Sequence, residues 1–97
     1  MQVLQENQKE FVLSKQVLRS GTAIGAMVKE SEFAESKADF VHKLSIALKE
    51  ANETKYWLLL LHESEYLDDS SYESVNEDCL NLIRLLVSII KRMKCAA

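Results

Sequence analysis

Glu50 and Glu53 stand one helical turn apart in Lys49-Glu50-Ala51-Asn52-Glu53-Thr54, on or beside an apolar stripe. Paired carboxylates at that spacing can do acid–base work or hold a two-metal centre. A di-iron bundle, however, adds Glu-x-x-His pairs to its carboxylates, and this chain has none. Its two histidines, His42 and His62, fall on one expected helix roughly 30 Å apart, too far to share a metal. The competing reading is structural: Arg19 pairs with Glu50 or Glu53. A guanidinium fork suits a carboxylate, and a buried pair of this kind fixes helix register more than it adds stability. The structural pairing is favoured, and no catalytic, cofactor-binding or metal-ligating set is assigned.

Other residues offer less. Tyr56 and Trp57 can stack on a base, but beside four leucines they read better as core or subunit contact. Trp57, Leu58 and Leu61 are the expected partner surface. Cys79 falls on an apolar stripe and reads as an inert core thiol, while Cys95 sits near a basic chain end as a bystander. Lys91, Arg92 and Lys94 cluster where a helix would end. Cations there complement the helix dipole. Gathered into a rim by oligomerisation, they would contact nucleic acid.

These side chains need helices to carry them. The stretch from Asp39 to Tyr66 has no Gly or Pro and repeats apolar or small residues at Phe40, Leu44, Ala47, Leu48, Ala51, Leu58 and Leu61. Spacing of three and four marks a helix with a wide buried stripe, expected over about 38–66. A first helix is expected over about 10–33, after a polar lead-in from Met1 to Lys9. It is read as running through Gly21 and Gly25, which would let a neighbouring helix approach closely. Ser36 with Asp39 opens the second helix. Asp68-Asp69-Ser70-Ser71 is the clearest turn, with Ser70 and Glu73 as the capping box of a third helix over about 71–94. That helix is apolar on more than one face, so it is expected in the middle of a bundle or at a subunit contact. Short loops make neighbours antiparallel. The fold expected is an all-α, antiparallel up-down helical bundle in a single domain, residues 1–97.

Composition agrees. Ninety-seven residues with no proline, two glycines and 47% hydrophobic side chains suit one small helical domain. A net charge of −3 argues mildly against charge-driven nucleic-acid binding. Two lone thiols suggest a reducing cytoplasm. The longest apolar run, Tyr56 to Leu61, is far short of a membrane span.

Arg19 to Ala26 reads R-S-G-T-x-I-G-A, and Ile46 to Leu58 reads I-A-L-K-E-A-N-E-T-x-Y-W-L. With these runs the chain, from about Lys9 to Lys91, strongly resembles the bacterial four helix bundle protein family. It is also called the 23S rRNA intervening-sequence protein family, and was once labelled ribosomal protein S23. The resemblance implies an up-down four-helix bundle, a homopentamer and no established enzymatic activity. A structurally similar retroelement accessory protein binds nucleic acid and is strongly basic, unlike this chain. The family pattern also implies a full helix before the K-x-F-x-L-x-K-Q segment at Lys9 to Gln16. Here Met1 to Gln8 stand in that place, so a shortened first helix and an exposed side of the core are expected. The resulting expectation is a non-enzymatic homo-oligomer with a protein partner. Binding of ribosomal or retroelement nucleic acid is the alternative.

Overall fold

The computed structural model describes residues 2–95, with side chains from residue 8 onward. Three helices follow one another: α1 (Gln2–Ser31), α2 (Lys37–Glu63) and α3 (Asp69–Cys95). No strand occurs among the described residues, so the chain is all-α as its composition implies. No helix among them is long and apolar enough to cross a membrane.

α1 differs from expectation at both ends. It begins at Gln2 instead of Glu10, because Gln2 to Lys9 is built of good helix formers without Gly or Pro. It stops at Ser31, where a tight turn takes over. Glu32, Phe33 and Ala34 N–H groups donate three residues back, to the carbonyls of Lys29, Glu30 and Ser31. The helix runs unbroken through Gly21 and Gly25.

The caps of α2 are explicit. Ser36 Oγ accepts from Asp39 N–H at 3.0 Å, and Asp39 Oδ2 accepts from Glu35 N–H at 3.2 Å. Two otherwise unsatisfied donors are thus met reciprocally. At the other end Glu65 turns left-handed (φ 64°). Tyr66 N–H then reaches Leu61 O and Glu65 N–H reaches His62 O, the paired bonds that close a helix C-terminus.

The cap of α3 corrects the sequence reading. Asp68, not Ser70, holds it: its Oδ1 accepts from Ser71 N–H at 2.6 Å, and the helix starts at Asp69. A carboxylate satisfies the same donor as a hydroxyl and also meets the positive end of the dipole. That bond holds the Asp68 carboxyl below the usual carboxylate range.

α2 is the middle element. α1 and α3 both pack along it, and among the described residues their backbones do not approach each other. α3 therefore occupies an edge and not the middle of the layer, the first of the two positions expected for it. Ser20 meets Thr54 and Glu30 meets Lys43, so α1 and α2 are antiparallel. Cys79 meets Ala51 and Tyr72 meets His62, so α2 and α3 are antiparallel too. The main core cluster combines Ile24, Leu44, Ala47, Ala51, Leu86 and Ile90. The chain measures 58 × 22 × 14 Å, a thin layer of three helices.

The Asp68 cap makes a pH-dependent contribution. Its folded-state pKa is depressed, so the stabilisation is present above the ordinary carboxylate range and is lost as pH falls through the lower folded value. Asp68→Ala is expected to be less stable than the parent at pH 7. Urea titrations at descending pH should show the two converging in acid; a constant difference would refute the cap.

Candidate functional site

The residues with most chemical capacity meet on one side of the α1–α2 interface. Arg19 leaves α1 toward two carboxylates one turn apart on α2. Its Nη2 lies 3.1 Å from Glu53 Oε1 and its Nη1 3.6 Å from Glu50 Oε2. Its Nε donates to Gln16 Oε1 at 2.9 Å, which fixes the plane of the guanidinium. The arrangement bridges two acids instead of forking onto one. It is also less buried than the sequence suggested: the Arg19 side chain is 49% exposed and that of Glu50 only 16%. Glu50 Oε2 is buried and has no hydrogen-bond partner among the described residues. The arginine therefore offsets, through charge, a carboxylate that has lost its water.

Immediately inside this cluster lies a feature that sequence reasoning missed. Ser20 has no exposed surface, and its Oγ sits 2.7 Å from Thr54 Oγ1 across the interface. Gln16 O and Glu50 O lie 2.9 Å from the two hydroxyls. Two hydroxyl protons serve the set: one crosses between the helices and the other goes to a backbone carbonyl, so no polar atom of the pair is stranded. A serine and a threonine each one residue from a charged neighbour carry no signal of a partner 34 positions away.

The other sequence candidates fall elsewhere. Gly21 and Gly25 do not serve close packing within the chain, since a Cβ at either would meet nothing within 4 Å. They face away from α2 because Ser20 and Ile24 take the inward positions. The partner surface placed at Trp57, Leu58 and Leu61 also needs correction. Leu58 and Leu61 are buried, continuing the inward stripe of Leu44, Ala47, Ala51 and Thr54, and Trp57 is half-buried. The exposed neighbours are Tyr56 and Leu59. Tyr56 and Trp57 make an edge contact, ring centroids 5.2 Å apart. Lys91, Arg92 and Lys94 are exposed at the end of α3, far along the chain from the Arg19 cluster.

His42 is exposed. His62 stacks on Tyr72 at 4.2 Å and its Nε2 lies 2.6 Å from Asp69 Oδ1, clasping the α2–α3 turn. Cys79 Sγ lies 3.4 Å from Ala51 O, and burial pushes its thiol pKa up. Among the described residues no three His, Cys, Asp or Glu side chains are grouped to hold a metal ion.

The 23S rRNA-intervening sequence protein model matches residues 2–88. The chain belongs to that family. The resemblance read from the two sequence runs is thus borne out, and those runs supply Arg19 and Ser20 on one side of the cluster and Glu50, Glu53 and Thr54 on the other. A similar solved structure is that of a protein of unknown function from the S23 ribosomal protein family of Bacteroides thetaiotaomicron. It is 62% identical, with a TM-score of 0.83 over 87% of this chain and 78% of that one. No curated protein is detectably similar. Neither match carries a reaction, and the helical architecture is common to this chain and the Bacteroides protein.

Removing the arginine tests the cluster in this member of the 23S rRNA-intervening sequence family. Arg19→Ala strands the buried Glu50 carboxylate, a cost of about 1 kcal/mol after allowance for solvent at the half-exposed guanidinium. For a domain of this size that lowers Tm by about 4–8 °C. Calorimetry showing an unchanged Tm would remove the pairing from the account of the fold.

Proposed function

We propose that this chain is a non-enzymatic protein that works as a homo-oligomer and presents its helical surfaces to a protein partner, in the context of 23S rRNA intervening sequences. One observation carries the reading. Large apolar side chains, Phe11 and Leu18 on α1 and Val75 and Leu85 on α3, are exposed on the two helices that flank α2. Exposed apolar surface on a thin layer of helices favours association with another helical surface. The Arg19 cluster suits a structural role better than a chemical one, since both carboxylates are already engaged by the guanidinium. A cytoplasmic setting fits two cysteines that are both free, one buried and one exposed.

A second reading is binding of nucleic acid. Lys91, Arg92 and Lys94 are exposed on the last turns of α3, and Lys94 lines a shallow recess with Lys37 from the start of α2. Repeated around an oligomer, this end would present a basic rim to phosphates.

Light scattering distinguishes the leading reading. The expected mass at micromolar concentration is a multiple of the 11.1 kDa chain; a strict monomer would overturn it. The second reading is tested by binding to ribosomal RNA fragments across a salt series. Affinity that falls steeply with salt supports it, and absence of affinity at low salt, where phosphate contacts are strongest, refutes it.

A further inference from the structure

Because neighbouring helices are antiparallel, the end of α1, the start of α2 and the end of α3 lie at one end of the layer. Two features stand there, on different sides of the first turns of α2. The first, on the α1 side, is a knob. Phe33, in the tight turn after α1, is 74% exposed, the most exposed large apolar side chain among the described residues. A ring of this size has about 150–250 Å² of surface to gain from burial. Glu30, Glu35, Asp39 and Lys43 surround it, and together they line a recess of about 440 Å³. Glu30 pairs with Lys43 at 3.5 Å, and the neighbouring Lys29 and Glu32 pair at 3.8 Å. Those charges balance, so Glu35 and the capping Asp39 leave the tip negative.

The second, on the α3 side, is a hole. Ala38 and Val41 of α2 and Met93 of α3 line a recess of about 510 Å³, flanked by Lys37 and Lys94. Its walls are apolar and its rim is cationic. Lys91 and Arg92 are exposed on the same turns as Met93, and α3 has no carboxylate after Asp78. Asp39 and Lys43, one turn apart on α2, border α1 at Glu30, whereas Ala38 and Val41 lie round the helix toward α3. No residue lines both recesses. An aromatic knob with a negative surround and an apolar hole with a positive rim thus occupy two flanks of one end.

We propose that the Phe33 turn of one copy of this chain seats in the Ala38–Val41–Met93 recess of the next. This inference rests on the homo-oligomer reading and names the contact that makes it. The ring meets apolar walls, and Glu35 comes against the rim of Lys37, Lys94 and Arg92. Within one chain the α3 cations answer only the negative end of their own helix dipole. Between chains the same cations answer a carboxylate. Knob and hole are different patches, so the contact is heterologous: each copy gives one and receives one. Such a contact does not stop at a pair but runs on until rotation closes a ring, the form a homopentamer takes.

The test uses Phe33→Ser and Ala38→Glu in the full chain. Both positions are exposed, and a carboxylate in the first turn of α2 suits its dipole, so helical circular dichroism is expected to stay unchanged. Either change alone is expected to weaken self-association about tenfold or more in sedimentation, one by removing the ring and the other by setting a carboxylate in the recess. An equal mixture of the two is expected to recover a pair and nothing larger, because the Ala38→Glu copy keeps its knob and the Phe33→Ser copy keeps its hole. Single variants that associate like the parent, or a mixture that pairs no better than either alone, would overturn this contact while leaving the homo-oligomer reading intact. A parent that is monomeric would overturn both.

Discussion

Ala47 and Ala51 have no exposed surface at all, and the geometry of the chain follows from that. A helix that packs on two neighbours at once must bury two directions with one stripe, and large side chains at its waist would hold both neighbours off. Two alanines one turn apart let α1 and α3 approach the same segment of α2 closely. The closeness is visible in the contacts flanking them. Cys79 Sγ reaches the Ala51 carbonyl on one side, and the Ser20 and Thr54 hydroxyls meet on the other. Away from the waist the stripe widens to Leu44, Leu58 and Leu61.

That close approach explains the polar cluster beside it. Where α1 comes near α2, groups on both helices lose water and must answer one another. Ser20 and Thr54 do so by sharing protons, and Arg19 does so by placing its charge between Glu50 and Glu53. Apolar packing alone tolerates a slip of one turn along the helices, since leucine replaces leucine. A slip here would strand a hydroxyl pair and a carboxylate together. The cluster thus sets the register that the alanines permit.

Much of this was legible in the sequence. The three-and-four spacing over Asp39 to Tyr66, the Ser36 cap and the break before Asp69 follow from local rules, and the helices stand where those rules put them to within a turn, except at the start of α1. There the polar stretch before Glu10 lacks an apolar period, yet propensity alone extends the helix to Gln2. The third-helix cap was misassigned because Asp68 and Ser70 both satisfy the sequence pattern, and only the bond to Ser71 N–H separates them. Which helix is central was misread. The sequence reading weighed the leucines outside the α3 stripe, but α2 is the more evenly apolar helix and α3 the more one-sided, as suits a middle and an edge position. The partner surface at Trp57, Leu58 and Leu61 failed for a related reason. A run of leucines wraps the helix, and its inward members are fixed only when the neighbours are known.

The apolar surplus is shared: Tyr56 and Leu59 stay exposed on α2, but the larger part lies on its neighbours. A central helix with extra leucines needs no explanation beyond its two contacts. An edge helix with a second apolar face does, because α1 and α3 each spend one face on α2 and keep another exposed. On α1, Leu18, Gly21, Gly25 and Val28 follow one another at spacings of three and four along an exposed line. Glycine in a helix costs about 1 kcal/mol relative to alanine and gains no packing here in return. Two of them facing open space are a structural expense within one chain.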